Sequence, residues 1–188
     1  MSMFVGEAGS ASEALDAVSA RERVLRCVTE RPGSWGMEIA RLTDLAFSTV
    51  FSRLADLEAE GHVQALQVDR ERHFFPAFTP WEMEVLALLR APEGLRILQH
   101  AARRPGLDNR EAFTAQVGVS NTAVGKYTDR FVQLGLLRRV EIPSTRRPGV
   151  GWAVAAEAAP RVRFLLLKLT GDTPEVRALR DLLASLRA

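Results

Sequence analysis

Apolar side chains recur every three or four positions through most of the chain, a spacing that gathers them on one face of an α-helix. In four short segments this spacing gives way to the β-branched and apolar runs that are typical of strands. The predicted helices are residues 12–18, 20–31, 34–43, 47–60, 80–90, 94–104, 109–117, 121–134, 158–169 and 174–187, and the predicted strands are residues 62–68, 73–77, 136–142 and 152–155. The pattern therefore predicts a mainly α fold with small β-hairpin wings, the α+β class.

Residues 105–137 show most clearly how these elements are joined. Asp108 is expected to cap a short helix that ends at Gly118, since glycine readily adopts the left-handed conformation that closes a helix. Ser120 is expected to cap a second helix that ends at Gly135. Two helices joined by a tight turn and followed by a strand pair form a winged helix-turn-helix. Such a unit usually places its second helix in a groove of DNA.

The same plan occurs 73 to 74 residues earlier, in residues 32–63. At a spacing of 74, the matching pairs are Val50 with Val124, Leu57 with Phe131, Gly61 with Gly135, and Val63 with Leu137. A repeat of this length indicates two domains in tandem. We therefore expect module 1 at residues 12–78 and a linker helix with module 2 at residues 79–157. A disordered segment at residues 1–11 is expected before them, and C-terminal helices at residues 158–188 after them.

The last predicted helix carries a leucine-rich stripe, formed by Val176, Leu179, Leu182, Leu183 and Leu186. We expect this stripe to join two copies of the chain in a homodimer, because most soluble oligomers are symmetric dimers. The alternative is that the stripe folds back on its own module. Between the two modules, near Trp81 and Phe78, a small-molecule pocket and ordinary core packing are equally compatible with the sequence.

Composition is that of a globular protein, with 47% apolar and 26% charged residues. No apolar run is long enough to span a membrane, and the first residues do not form a secretory signal. The single cysteine, Cys27, excludes an internal disulfide, is expected to be a buried thiol, and favours a cytoplasmic location.

The net charge of +2 is unevenly distributed. Residues 20–79 carry 8 basic and 9 acidic side chains, whereas residues 80–157 carry 11 and 8, and residues 158–188 carry 6 and 3. The C-terminal half is therefore the better binder of a polyanion.

Polar and basic side chains on the predicted second helices and wings are the candidate contacts to double-stranded DNA. In module 2 they are Ser120, Asn121, Thr122, Lys126, Tyr127 and Arg130 on the helix, and Arg138, Arg139, Arg146 and Arg147 on the wing. In module 1 they are Ser48, Thr49, Ser52 and Arg53 on the helix, and Arg70 and Arg72 on the wing. Asparagine can bond adenine edges, whereas arginine and lysine neutralise phosphate or reach guanine. We expect module 2 to make the main contact.

Module 1 allows two interpretations. The start of its second helix is polar, but the later part carries Asp56, Glu58 and Glu60, which repel phosphate. Phe47 or Phe51 is expected to join the buried stripe of this helix. The module either binds DNA through the helix N-terminus alone or binds another protein.

Residue patterns for catalysis and for metal or cofactor binding do not occur. His62, His73 and His100 are scattered, and neither H-E-x-x-H nor C-x-x-C is found. Gly149 and Gly151 lie in a predicted hairpin loop rather than in a phosphate-binding loop. The sequence therefore predicts no enzyme activity, no cofactor and no metal site.

With both modules in view, the chain resembles the tandem winged-helix transcriptional regulators of archaea, in the MarR/ArsR-like group. The resemblance rests on PGSWGMEIARLTDLAFSTVFSRLADLEAEGHV with the closing HFFPA, and on LRILQHAARRPG followed by VGVSNTAVGKYTDRFVQLGLLRR. It covers about residues 20–155 and implies a DNA-binding transcriptional regulator, often dimeric. The metal-sensing cysteine pairs of some ArsR-type repressors are absent.

Two functions follow as hypotheses from this organisation. The first is a sequence-specific DNA-binding transcriptional regulator. The alternative is a winged-helix protein-protein interaction subunit of a chromosome-organising or transcription complex. An apolar surface patch in place of a basic one would favour the alternative.

Overall fold

The computed structural model describes residues 19–104, 110–142 and 149–186. Helices account for 64% of these residues, and their strands form two small sheets, which confirms the predicted α+β class. The chain divides into two compact units: the first runs to Ala65 and includes Phe74–Ala77, and the second comprises Leu66–His73 and everything from Phe78 onward. The expectations for residues 1–18 lie outside the described residues. No described helix has the length and apolar character needed to cross a membrane.

The first unit contains three helices and part of a three-stranded sheet. Its elements are α1 (Ala20–Glu30), β1 (Ser34–Trp35), α2 (Gly36–Thr43) and α3 (Phe47–Ala59). The strands β2 (Gln64–Val68) and β3 (Glu71–Phe75) complete the sheet, in the order β1-β3-β2, and their hairpin end is assigned to the second unit. Helix α1 begins at a capping box, in which the Ser19 side chain accepts the Glu22 N–H and the Glu22 carboxylate accepts the Ser19 N–H. The core lies between the three helices and β3, and its members are Val24, Cys27, Val28, Ile39, Val50, Leu54, Leu57, Val63 and Phe74.

Three local expectations in the first unit are wrong. Residues 34–35 form a strand and not the start of a helix, since the Gly33 N–H donates to the Phe74 carbonyl and draws the segment into the sheet. Both Phe47 and Phe51 stay exposed, at 45% and 41%, because Val50, Leu54 and Leu57 already fill the buried face of α3. The hairpin turn is tighter than predicted, with Asp69 and Arg70 between β2 and β3.

The second unit contains the remaining helices and the second hairpin. Its elements are α4 (Pro80–Arg90), α5 (Pro92–Arg103), α6 (Arg110–Val117), α7 (Asn121–Gln133), β4 (Leu137–Ile142), β5 (Gly149–Val154), α8 (Ala159–Lys168) and α9 (Pro174–Ser185). Helix α5 begins two residues before the predicted start because Pro92 occupies its first turn, where proline is tolerated. Strands β4 and β5 are antiparallel, with Leu137 opposite Val154 and Ile142 opposite Gly149. Strand β5 therefore begins earlier than predicted.

The leucine-rich stripe of α9 is buried within its own unit. Val176, Leu179 and Leu182 have at most 3% of their surface exposed, and α9 packs against α5. These three side chains cannot join two copies, contrary to the expectation from the sequence, because the stripe folds back on its own unit through them. Leu183 and Leu186 are half-buried. Helix α4 is buried on nearly every side, because seven of its residues between Glu82 and Leu89 are inaccessible.

Candidate nucleic-acid interface

Helix α7 presents a polar face, as the sequence predicts. Ser120 caps the helix by accepting the Ala123 N–H at 3.1 Å. Val124 and Phe131 are fully buried, so the helix is fixed to the core by one face. The opposite face exposes Asn121, Thr122, Lys126 and Arg130. The Asn121 amide oxygen lies 2.8 Å from the Thr114 hydroxyl, which orients the side chain at the start of the helix.

Tyr127 does not belong to this exposed face. Only 8% of its surface is accessible, which is a correction to the predicted contact set. Its ring packs closely over Gly94, where a β-carbon would come within 3.0 Å of two ring atoms, and lies 6.5 Å from the Phe131 ring. Burial raises the pKa of the Tyr127 phenol above its usual value.

Three of the four cations of α7 and β4 are paired with carboxylates of the same unit. Lys126 pairs with Asp69 and Arg130 with Glu84, while Arg139 lies 2.7 Å from Asp129. The hydrogen bond to Asp69 raises the pKa of Lys126. These pairs are largely exposed, so each is worth about 0–1 kcal/mol. A phosphate can therefore replace the carboxylates at small cost in stability.

Two of the four arginines predicted on the wing of module 2 lie on strand β4. Arg138 and Arg139 are exposed on β4, opposite Ala153 and Trp152 of β5. Arg146 and Arg147, predicted at the tip of this wing, lie outside the described residues. Arg110 was missed by the sequence analysis: its guanidinium lies against Gly125 of α7, which has no side chain to hold it away.

Helix α3 of the first unit also has a polar start. Ser48, Ser52 and Arg53 are exposed and Thr49 is half-buried, while Ala46 at the N-cap makes no side-chain hydrogen bond. The free N–H groups of such an uncapped helix start attract phosphate. Arg53 lies 3.0 Å from Asp56, so its charge is partly compensated.

Exposed apolar side chains adjoin this polar start. The Phe47 and Phe51 rings, 4.5 Å apart, lie over Gly36, where a β-carbon would come within 2.9 Å of Phe51. Trp35 and Met37, on either side of Gly36, are 41% and 51% exposed. We call these four side chains around Gly36 the aromatic patch.

The hairpin between β2 and β3 exposes Arg70 and Arg72, again as predicted. Asp69 adopts a left-handed conformation with φ of 54°, which aspartate tolerates in tight hairpin turns. His73 is 4% exposed, with its Nε2 3.8 Å from the Glu71 carboxylate. Within the described ranges, no group of three or more His, Cys, Asp or Glu side chains is placed to hold a metal ion.

Residues 23–66 match the IclR helix-turn-helix domain family. The matched segment contains most of α1, all of α2 and α3, and the start of β2. No curated protein matches the chain. The first unit is thus similar to a DNA-binding domain of transcriptional regulators, which supports that function for the chain. The finer resemblance to MarR/ArsR-like proteins stays a prediction.

Proposed function

We propose that the chain is a transcriptional regulator that binds double-stranded DNA through two winged helix-turn-helix modules in tandem. One observation carries the proposal: the segment similar to the IclR helix-turn-helix domain coincides with the helices that form the first unit. The second unit repeats the order of short helix, longer helix and hairpin. The protein is further proposed to be a cytoplasmic homodimer, although α9 does not supply the interface.

Module 2 makes the main contact in this proposal. Its helix α7 exposes Asn121 and Thr122 at the start and Lys126 and Arg130 further along. Asparagine and threonine there reach base edges, while the cations and Arg138 meet phosphates. The excess of basic over acidic residues in residues 80–157 supports a larger DNA contact by module 2 than by module 1.

Module 1 makes a smaller contact through the start of α3. Ser48, Thr49 and the uncapped N–H groups meet phosphate there, and Ser52 and Arg53 stand one turn further on. The acidic end of α3 points to contact at the N-terminus alone, because Asp56 and Glu60 repel a phosphate backbone. Arg70 and Arg72 of the hairpin add positive charge beside Asp69 and Glu71.

Paired variants separate the two modules. Lys126→Gln with Arg130→Gln is expected to weaken binding to every duplex and to make the slope of log K against log salt shallower by up to about 1.8, at 0.9 per phosphate. Ser48→Ala with Arg53→Gln is expected to have a smaller effect. Arg163→Gln with Arg177→Gln removes the same charge from exposed sites of α8 and α9 and serves as the control.

Two further variants test the remaining contacts. Asn121→Ala is expected to relax the preference at particular base pairs, whereas Arg146→Ala with Arg147→Ala should weaken binding to all sequences. Fluorescence anisotropy of labelled duplexes at several salt concentrations measures both the overall affinity and the preference among duplexes that differ at single base pairs. If these variants and the Lys126 and Arg130 pair all bind like the wild type, module 2 is not the contact.

The aromatic patch favours a second candidate function, in which module 1 docks a protein partner. Four large apolar side chains exposed together are typical of protein-binding surfaces. Phe47→Ser with Phe51→Ser tests it. If an identified partner binds the wild type and is lost on this substitution while duplex binding is unchanged, docking is supported. Loss of duplex binding by the variant would instead assign this face of α3 to DNA.

A further inference from the structure

A cleft of about 470 Å3 opens on the second unit, where α4 begins and α8 passes over it. Its apolar walls are Trp81, Phe164, Pro80 and Pro160. Phe164 is 57% exposed, so a large aromatic ring faces solvent beside the cleft. The volume falls within the roughly 300–1,000 Å3 of small-molecule sites, which are likewise lined by apolar and aromatic side chains.

One positive charge in the cleft lacks an anionic partner. The Arg161 guanidinium lies 4.1 Å from the centre of the Trp81 ring, and no carboxylate of the described residues lies within salt-bridge distance of it. A guanidinium stacked on a ring keeps its N–H groups at its edge, where they can bind a carboxylate through two parallel hydrogen bonds.

The acidic residue of the cleft is already compensated. The Glu82 carboxylate lies 2.8 Å from the Lys168 ammonium and accepts the Thr79 N–H at 2.7 Å. Its charge therefore does not neutralise Arg161. The cleft as a whole combines flat aromatic faces with an unpaired cation.

We propose that this cleft binds a small, planar, aromatic anion, with its ring between the apolar walls of the cleft and its carboxylate on Arg161. The aromatic walls select a flat apolar body, and the guanidinium selects a negative charge. A cation is disfavoured because the Arg161 guanidinium lines the cleft without a carboxylate beside it.

The cleft is connected to the candidate recognition helix through Trp81. Its indole N–H donates to the carbonyl of Leu134, the C-cap of α7, at 2.9 Å. A ligand that displaces Trp81 therefore acts on the end of α7. This coupling rests on the proposed DNA binding, whereas binding of the ligand to the cleft is independent of DNA. Toward DNA, Trp81 is a positioning residue, because it acts through the end of α7.

The test uses 2-naphthoate as the probe, titrated into the full chain by calorimetry. It is expected to bind at one site per chain, with the neutral 2-naphthamide about tenfold weaker because it forfeits a charge-assisted pair. Arg161→Gln is expected to weaken naphthoate by about tenfold as well. Arg163→Gln, about 200° further round α8 at 100° per residue, is the matched control and should bind as the wild type does.

Three results would overturn the proposal. They are no binding of naphthoate at millimolar concentration, equal losses in the Arg161 and Arg163 variants, and a dimer in light scattering that Phe164→Ala dissociates. The last result would make this face an interface between copies. Circular dichroism checks that each variant is folded.

Coupling is measured separately, by anisotropy of a labelled duplex with and without naphthoate. The wild type is expected to change its duplex affinity on saturation with naphthoate. Trp81→Phe removes the indole N–H that donates to Leu134, so it is expected to lose that change even at naphthoate concentrations that saturate the variant. Failure of the protein to bind DNA leaves the calorimetric result unaffected, so the two proposals fail independently. Equal duplex affinity with and without naphthoate in the wild type would refute the coupling.

Discussion

Asp69→Asn is expected to strengthen DNA binding, because it releases Lys126 of α7. The pair is exposed, with 43% of the Lys126 side chain and 57% of the Asp69 side chain accessible. Breaking it should therefore cost at most about 1 kcal/mol of folding free energy. Asparagine is chosen because it tolerates the left-handed conformation of residue 69, so the hairpin turn is kept.

The size of the gain follows from counterion release. One additional cation on a phosphate steepens the slope of log K against log salt by about 0.9, which amounts to about eightfold in affinity at about 0.1 M salt, one decade below 1 M. Lys126→Gln should change the slope in the opposite direction, since it removes the cation altogether.

The assay is anisotropy of a labelled duplex across a salt series, with thermal unfolding measured in parallel. Glu71→Gln is the matched control: it removes one negative charge from the same hairpin but leaves Lys126 paired. If Asp69→Asn and Glu71→Gln raise affinity equally, the gain comes from net charge alone. If Asp69→Asn leaves both affinity and slope unchanged, Lys126 does not meet phosphate.

Three predictions concern stability. Leu179→Ala should lower the free energy of unfolding by about 2–5 kcal/mol in urea titrations at any protein concentration, since Leu179 is fully buried in its own unit; a strong concentration dependence would instead indicate a dimer interface. Gly125→Ala should be neutral or stabilising by up to about 1 kcal/mol, because the helix gains propensity and only the flexible end of Arg110 must move; a loss beyond 1 kcal/mol would show that Arg110 is held in place. Burial alone would raise the pKa of Glu82, but the hydrogen bonds from Lys168 and Thr79 hold it below the ordinary 4.5. Its ionised form therefore stabilises the fold above pH 4.5, and this stability is lost as the pH falls through the lowered pKa, so Glu82→Gln should unfold more easily at neutral pH and show a smaller loss in acid.

Local signals made most of the helix boundaries predictable. Ser120 caps the helix that the sequence assigns to it, and Ser19 and Thr79 cap α1 and α4 in the same way, because a cap involves residues only two or three positions apart. The buried faces of α3 and α7 follow from spacing in the same way. The strand at residues 34–35 could not be read locally, since it forms only against Phe74.

The ion pairs at the candidate interface could not be predicted, because they join residues that are far apart in the sequence. Lys126 and Asp69 are 57 positions apart, and Arg130 and Glu84 are 46 apart, so no local pattern marks these carboxylates as partners. A tyrosine can lie on either the exposed or the buried face of a helix. Tyr127 is buried because Gly94, which has no side chain, leaves room for its ring. Phe47 and Phe51 fit a helical stripe by spacing, but the core was already complete without them.

The most direct test of the account is the affinity of the wild-type protein for a labelled mixed-sequence duplex, measured by anisotropy at several salt concentrations. DNA binding through α7, β4 and the start of α3 predicts affinity that falls steeply with salt, with a slope of about −0.9 for each phosphate neutralised. Absence of binding even near 50 mM salt, well below physiological ionic strength, would contradict the proposed function and favour a protein partner at the aromatic patch.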